Sequence, residues 1–191
     1  MARMTVQRRK DNRTPRVIMH RVADIRGGVS VKTSELGGDY LREGAVLSAP
    51  EDGICHVVKI ATVVADVAAA DKTVKVAKFH NLRANDIVCV DENGTAVEIS
   101  KIDDSNKDYD TVTLAAAIGA IAKGGFLVEA AAVSTDTVKS ALKYKPLAIV
   151  GTGKPIEPKA NLDTDAWLFA VTKGNPLPEC VEKYLKGIIN Y

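Results

Sequence analysis

Apolar residues along this chain fall in short segments that alternate with polar positions and end at turn residues. In KTVKVAKF, residues 72–79, Val74 and Val76 are separated by polar side chains, which is the pattern of a strand with one buried face. ICHVVKIATVVAD, residues 54–66, is dense in β-branched side chains, which favour strands over helices. These patterns predict a half-buried strand at 72–79 and a long or mostly buried strand at 54–66.

The clearest local signal is a β-hairpin near the middle of the chain. DIVCV, residues 86–90, and TAVEISKI, residues 95–102, are separated by a turn that contains Asn93 and Gly94. Asn-Gly supplies the positive φ angles that tight turns between antiparallel strands need. The two segments are therefore predicted to pair as a hairpin.

Most of the remaining chain repeats this order of strand and turn. Helical patterns are confined to residues 141–145 and the C-terminal tail, and strand patterns recur at residues 111–116, 126–133, 147–150 and 166–172. Strands of about five to eight residues without long intervening helices are typical of all-β proteins. The sequence therefore predicts a mainly β fold, a small antiparallel barrel or sandwich with a short C-terminal helix.

The C-terminal tail PECVEKYLKGIINY has the spacing of an amphipathic helix. Its apolar positions follow the order i, i+3, i+4, i+7, so they share one helix face. That face either packs on its own chain or contacts another copy, and the spacing leaves both arrangements open. The candidate oligomer-interface residues are Val181, Tyr184, Leu185 and Ile188.

Charge is distributed unevenly along the chain. The composition, 46% hydrophobic and 26% charged, is that of a folded protein. Residues 1–26 carry eight Arg or Lys against two Asp, a balance of +6, whereas residues 27–191 carry 18 basic against 22 acidic residues, a balance of −4. This division predicts a basic N-terminal arm at 1–26, a turn-rich connection at 27–53 and a β-rich body at 54–191.

The basic arm is the candidate binding segment. A concentration of positive charge attracts an acidic partner, either nucleic acid or another protein. No Phe, Trp or Tyr precedes Tyr40, so the arm offers nucleic acid phosphate contacts without stacking on bases. Residues 17–25 of this segment also have apolar positions that suit a short strand. The candidate binding residues are Arg3, Arg8, Arg9, Lys10, Arg13, Arg16 and Arg21.

Features of membrane or secreted proteins are not found in the sequence. The longest apolar runs, residues 114–122 and 126–133, are shorter than the roughly 20 residues that span a bilayer. The N-terminus has basic residues but no apolar block before a small-residue cleavage site, so the protein is expected to be made in the cytoplasm and not secreted. Three cysteines in 191 residues predict reduced, buried thiols instead of a disulfide framework.

Residue patterns of catalytic or metal sites are also missing. His20, His56 and His80 lie in unrelated segments, and the neighbours Cys55 and His56 point to opposite sides of a regular strand. The CxxC and HExxH spacings of common metal sites do not occur. The chain is therefore predicted to be non-enzymatic and to need no metal or cofactor.

Two segments resemble ligand-binding loops only superficially. In VGTGKP, Gly151 and Gly153 precede Pro155, so no helix N-terminus follows to bind a phosphate. The acidic loop DDSNKDYD, residues 103–110, lacks the Gly and Glu positions of a calcium loop. We interpret the first segment as a turn and the second as a solvated hairpin loop.

Four segments of the chain carry a resemblance to a known family. They are KTVKVAKFHNLRANDIV, ISKIDDSNKDYDTVTLAAAIGAIAKGGFLVEA, YKPLAIVGT and DAWLFAVTKGNPLPECVEKYLKGIINY, which together cover much of residues 68–191. In this order they resemble the head fibre and capsid decoration proteins of tailed bacteriophages, particularly those of gut Bacteroidales phages and prophages. In that family a β-rich body ends with a strand, a Gly, a Leu-Pro pair and a short helix, which residues 171–191 match.

The resemblance implies a non-enzymatic virion structural protein on the capsid surface. It implies a homo-oligomer on the head, with a trimer as the expected number. The charge of residues 1–26, which have no counterpart in the resemblance, predicts that this arm tethers the protein to the major capsid protein. The alternative is a small β-barrel nucleic-acid-binding protein that uses its arm on phosphates. A third hypothesis is a hydrolase whose site forms only between subunits. No membrane partner is expected, and nucleic acid is the less favoured partner.

Overall fold

The computed structural model of the protein describes residues 16–157 and 160–191. Within these residues the chain forms 17 strands and one short helix, which confirms the predicted mainly β fold with a C-terminal helix. The elements are β1 (Ile18–Asp24), β2 (Val29–Val31), β3 (Tyr40–Leu41), β4 (Val46–Ser48), β5 (Ile54–Cys55), β6 (Val57–Val58), β7 (Ile60–Thr62), β8 (Thr73–Ala77), β9 (Ile87–Cys89), β10 (Ala96–Asp103), β11 (Tyr109–Leu114), β12 (Phe126–Glu129), β13 (Pro146–Val150), β14 (Lys154–Pro155), β15 (Leu162–Thr164), β16 (Ala166–Thr172), α1 (Glu179–Glu182) and β17 (Ile188–Asn190).

Two six-stranded sheets form most of the body. The first has the order β1-β16-β13-β4-β6, with β17 parallel to β16, and the second has the order β7-β12-β9-β10-β11-β8. Smaller sheets join β14 to β3 and β15 to β2 and β5. The end strands β7 and β8 of the second sheet approach each other through a single bridge between Val63 and Val76. No ladder closes a barrel among the described residues, so the antiparallel sandwich is the form that is observed.

The second sheet contains the elements that the sequence predicted best. In β8, Val74 and Val76 are fully buried while Thr73 and Lys75 are exposed, which confirms the alternation. Strands β9 and β10 pair antiparallel with Ala96 opposite Cys89, which confirms the hairpin. Asn93 has a φ of 65° as expected, although the connection spans residues 90–95 and is longer than a two-residue turn.

The segment 54–66 was predicted as one strand, and this prediction is wrong. It forms three short strands, β5, β6 and β7, and each pairs with a different sheet partner: β2, β4 and β12. The breaks fall at two buried polar residues, His56 and Lys59. Each side chain bonds to acidic partners elsewhere in the chain, and the strand that pairs with the segment changes at each of them.

Residues 27–53 belong to the body, which corrects their interpretation as a connection leading into it. They form β2, β3 and β4, and the side chains of Val31, Leu41 and Leu47 are fully buried in one apolar cluster. The glycines of this segment do mark turns. However, the short strands between them supply one wall of the core that lies behind the first sheet.

The predicted arm also extends too far into the folded part. Its residues 18–24 form β1, and the backbone N–H groups of Val17 and Ile18 donate to Glu43 Oε1 at 3.1 and 2.8 Å. Both side chains are buried, with exposures of 3% and 9%. A segment outside the body therefore ends before Val17, and the short strand expected within residues 17–25 is confirmed.

The C-terminal tail forms a helix that is much shorter than its apolar spacing predicts. Helix α1 spans only Glu179–Glu182 after Pro178 at its N-cap, and Ile188 begins the strand β17 instead of a third helical turn. A Cβ at Gly187 would lie 2.3 Å from the carbonyl oxygen of Leu168, so glycine is required where the chain turns into its pairing with β16. Residues 141–145 are not helical, because Leu142 bridges to Ala130.

Candidate interaction surface

The outer edge of the first sheet is formed by β1. This strand pairs antiparallel with β16 on one side, and among the described residues no strand pairs with its other side. Its ladder is irregular, with register shifts between Ile18 and His20, between Arg21 and Ala23, and between Ala23 and Asp24. Bulges of this kind twist an edge strand and hinder the addition of another strand to the sheet. A partner at this edge therefore contacts the side chains of β1 more readily than it pairs with the backbone of β1 as an added strand.

Large apolar side chains are exposed on β1 and on the strands next to it in this end of the first sheet, with β1 and β17 on the two sides of β16. They lie on three neighbouring strands, β1, β16 and β17, and on the residue that follows β17. We call this set the edge patch: Met19 (41% exposed), Val22 (70%), Phe169 (54%), Ile189 (63%) and Tyr191 (66%). These are five of the nine large hydrophobic residues exposed in the described part of the chain. A grouping of this kind on a soluble surface is typical of an interaction site.

Arg21, which the sequence placed in the binding arm, is held against the body. Its Nη2 donates to the carbonyl oxygen of Gly151 at 2.9 Å, and its guanidinium lies over the Trp167 ring, 5.3 Å from the centroid. Asp165 Oδ2 lies 4.0 Å from Nη1 and accepts a hydrogen bond from Trp167 Nε1 at 2.9 Å. The contacts of Arg21 are therefore intramolecular, because β1 is part of the sheet.

The other candidate arm residues lie at or beyond the start of the described chain. Arg16 is exposed next to the buried Val17. Arg3, Arg8, Arg9, Lys10 and Arg13 lie outside the described residues. We call the five basic residues between positions 3 and 13 the basic segment. Because residue 16 leads directly into β1, the chain passes from this segment into the strand that carries Met19 and Val22 of the edge patch.

The four residues proposed for an oligomer interface are placed differently from one another. Val181 and Leu185 are buried, at 0% and 3% exposure, in a cluster of the chain's own core that also contains Val46 and Ile149. They are therefore unavailable to a partner, and of the two arrangements left open by the sequence the internal one is found. Tyr184 and Ile188 are half-buried.

Sequence reasoning missed the edge patch because its members come from both ends of the chain.

A buried ionic cluster lies where the two large sheets meet. Lys59 is 1% exposed, and its Nζ donates to Asp86 Oδ2 at 2.6 Å and to Glu129 Oε1 at 3.1 Å. Lys143 Nζ donates to the same Glu129 oxygen at 2.8 Å from a more exposed position. The Asp86 carboxylate also accepts from the backbone N–H of Arg83. The cluster links β7, β12 and the start of β9, which is a structural role.

A second polar cluster joins segments 32–35, 56 and 144. His56 Nδ1–H donates to Glu35 Oε2 at 2.9 Å, the Tyr144 hydroxyl donates to the same oxygen at 3.0 Å, and Lys32 Nζ lies 3.0 Å from Oε1. The His56 and Tyr144 rings stack at 4.2 Å. Burial alone would raise the pKa of Glu35, but the hydrogen bonds from His56, Lys32 and Tyr144 outweigh it and lower the pKa to about 2.

This cluster leads to a prediction about acid stability. Glu35→Gln is expected to lower the free energy of unfolding by about 1–2 kcal/mol at pH 7, because a carboxylate that accepts three hydrogen bonds loses its charge. Because the pKa of Glu35 is lower in the folded state, its carboxylate stabilises the fold at pH values above its ordinary pKa of 4.5. This stabilisation is lost as the pH falls toward 2. The gap between wild type and variant should therefore narrow from pH 5 to pH 2 in urea unfolding.

The control for this prediction is Glu98→Gln, at an exposed glutamate of β10. Its unfolding curve should follow that of the wild type at every pH. If the Glu35→Gln and wild-type curves stayed equally far apart down to pH 2, the Glu35 carboxylate would not be the source of the acid sensitivity.

The described residues do not assemble a metal or nucleophile site. Within 16–157 and 160–191, no three His, Cys, Asp or Glu side chains are gathered so that they could hold a metal ion. Burial raises the pKa of Cys55, and it raises the pKa values of Cys89 and Cys180 to about 11, so these thiols are protonated at neutral pH. In the acidic loop, Asp110 departs from the prediction of a solvated residue, because it is buried and accepts hydrogen bonds from Lys78 and His80.

Comparison of the chain with protein-family models, curated proteins and solved structures found no match. No helix in the described part of the chain is long and apolar enough to cross a membrane. Among the features of the described residues, the edge patch is the surface best suited to contacts with other proteins.

Proposed function

We propose that the protein is a non-enzymatic virion structural protein, a head fibre or decoration protein attached to the outside of a tailed-phage capsid as a homo-oligomer. The major capsid protein is the partner of the basic segment, and the edge patch is the contact between copies. The observation that carries the proposal is the position of the edge patch, which lies directly beside the point where the basic segment enters β1.

The two surfaces have different chemistry and therefore suit different partners. The edge patch contributes exposed apolar side chains, and apolar surfaces associate by excluding water. Residues 1–15 contribute Arg3, Arg8, Arg9, Lys10 and Arg13, which suit an acidic surface. When copies associate through the patch, several basic segments are held together, and repeated sites on a capsid bind them with increased avidity.

Two further observations support the proposal: the body is mainly β, and four of its segments resemble head fibre and decoration proteins. The alternative, a small β-barrel nucleic-acid-binding protein, receives less support. Its expected closed barrel does not form among the described residues. Arg21 does not separate the two functions, because its contacts with Gly151 and Trp167 of the same chain engage it equally against phosphates and against a capsid surface.

The test of the proposal is a truncation that begins at Arg16, because removal of residues up to 26 would delete β1 from the sheet. We expect the shortened protein to bind heads lacking the protein about tenfold or more weakly than the full chain, since avidity through charged contacts is lost. High salt should weaken the binding of the full chain toward the same level, because it screens these charged contacts. Co-sedimentation in low and high salt measures both effects.

A matched variant separates charge from length. It keeps all residues and replaces Arg3, Arg8, Arg9, Lys10 and Arg13 by Gln, and it should bind as weakly as the truncation. Equal decoration of heads by all three proteins would contradict the tether. Salt-dependent binding of duplex DNA, without binding to heads, would favour the alternative function.

A further inference from the structure

A cleft of about 580 Å³ opens on the side of the body formed by the second sheet. One wall is the loop of residues 37–39, and the other is the segment 78–84 that follows β8. The third side comes from the β10–β11 hairpin, including Ile102 and Lys107. Neither proposed contact uses this cleft, since its lining shares no residue with the edge patch and none with the basic residues 3–13.

The wall after β8 contains strained backbone. Phe79, Asn81 and Asn85 have φ angles of 66°, 59° and 70°, in the left-handed region. Asn tolerates this region, whereas a bulky Phe there is a true outlier that costs on the order of 1–3 kcal/mol. Phe79 is 45% exposed and lines both this cleft and a neighbouring cavity, where the guanidinium of Arg42 lies 5.7 Å from the ring centroid. A strained backbone thus presents an aromatic ring to solvent.

Hydrogen bonds fix this wall in place. The backbone N–H of Leu82 donates to His80 Nδ1 at 2.9 Å, and His80 Nε2 lies 3.2 Å from Asp110 Oδ2. Arg83 donates through Nη1 to the carbonyl oxygen of Ser34 at 2.6 Å. The wall is therefore held in one shape before any ligand binds, which lowers the entropic cost of binding.

The opposite wall needs its two glycines. A Cβ at Gly37 would lie 2.2 Å from the carbonyl oxygen of Leu82, and a Cβ at Gly38 would lie 2.6 Å from Asn81 Oδ1. The Gly37 N–H donates to the carbonyl oxygen of Asn81 at 2.9 Å. Only residues without a side chain allow the two walls to approach this closely.

The lining of the cleft is rich in polar groups but has no net charge. Its three cations balance its three carboxylates: Lys78, Arg83 and Lys107 against Asp39, Asp104 and Asp110. Burial lowers the pKa of His80, although Asp110 opposes the shift, so the ring adds no positive charge at neutral pH. The balance disfavours phosphorylated or strongly basic ligands and favours a neutral ligand with many hydroxyl groups.

One polar atom of the wall lacks a partner. Asn81 is 5% exposed and lines the cleft, and its Oδ1 accepts no hydrogen bond from any described residue. That oxygen is itself covered, since a Cβ at Gly38 would lie 2.6 Å from it, so it belongs to the packed base of the wall and not to the surface that a ligand meets. The carboxylates of Asp39 and Asp104, in contrast, belong to exposed residues of the lining and are available to ligand hydroxyls.

We propose that this cleft binds a neutral saccharide unit, with a C–H face of the sugar ring against Phe79 and its hydroxyls on the polar side chains of the two walls. An aromatic ring provides apolar contact at low conformational cost, and surrounding carboxylate, amide and guanidinium groups orient the ligand. The volume is sufficient for one or two sugar rings.

The test uses Phe79→Asn, which removes the ring but keeps a residue suited to positive φ. Methyl glycosides of glucose, galactose, mannose and N-acetylglucosamine are titrated into the ¹⁵N-labelled full-length protein. We expect saturable shifts of the amide signals of residues 37–39 and 78–84 with at least one of these sugars. Phe79→Asn should weaken that binding by about tenfold or more, and Phe79→Tyr should retain it.

The control is Val133→Asn, at a valine with the same 45% exposure outside the cleft, which should bind like the wild type. Native-like amide spectra for each variant establish that it is folded. The proposal is overturned if none of the four sugars gives saturable shifts, or if Phe79→Asn binds as tightly as Val133→Asn. Neither outcome depends on capsid binding, so failure here would leave the proposed virion function unaffected.

Discussion

Replacement of Lys59 by methionine is expected to lower the free energy of unfolding by about 3–5 kcal/mol. Methionine matches the length of the lysine stem but leaves Asp86 and Glu129 without their shared cation. Both carboxylates are buried, with side-chain exposures of 6% and 1%, so water cannot replace the lost ion pairs. Urea unfolding followed by the fluorescence of Trp167, the only tryptophan, measures the change.

Lys143→Met is the matched control, because Lys143 donates to the same Glu129 oxygen but is 35% exposed. Lys143→Met should lower the free energy of unfolding by about 1 kcal/mol or less, as expected for an ion pair that is screened by solvent. The combination of Lys59→Met with Asp86→Asn and Glu129→Gln should recover part of the stability, since no buried charge then remains unpaired. A Lys59→Met protein no less stable than Lys143→Met would show that the buried cluster contributes little.

Charge placed in the edge patch is expected to convert the oligomer into monomers. The variant Val22→Lys together with Phe169→Lys introduces two cations among apolar side chains that are 70% and 54% exposed. Their exposure means that the fold tolerates the change, whereas burial of these cations between copies would be strongly unfavourable. Light scattering should show the mass falling from a multiple of 20.4 kDa, threefold for a trimer, to 20.4 kDa.

The control for this second variant is Val138→Lys, at a valine that is 52% exposed outside the edge patch. It should keep the oligomer mass of the wild type. Two results would reject the assignment of the contact to the edge patch: a wild-type mass near 20.4 kDa at high micromolar concentration, or an unchanged mass in the doubly substituted protein.

The parts of the fold that could be predicted depend on contacts close in sequence. Alternation within β8 and the hairpin of β9 and β10 are encoded by side chains and turn residues a few positions apart, and both were found. Residues 54–66 were harder to predict, because their break at His56 and Lys59 depends on carboxylates at positions 35, 86 and 129. A lysine and a histidine within a β-branched run were the available signal.

The tail and the surfaces could not be predicted for a related reason. The apolar period of residues 181–188 fits a helix, but pairing with β16 and the close approach at Gly187 give β17 at its end. The edge patch joins strands from both ends of the chain. The cleft depends on the distance between residues 37–38 and 79–83, and a glycine pair in the sequence does not indicate which segment lies against it.

The pairing of β1 with β16 determines when the first sheet can form during synthesis. Ile18 is opposite Thr172, so about 150 residues must be added after β1 before its partner exists. At a typical rate of translation this takes roughly 8–30 s, during which the apolar residues of β1 have no sheet to pack on. The second sheet needs only residues 60–129 and can form earlier. The second sheet can therefore be complete before the first, and the edge patch, proposed above as the contact between copies, is complete only once Ile189 and Tyr191 have been added.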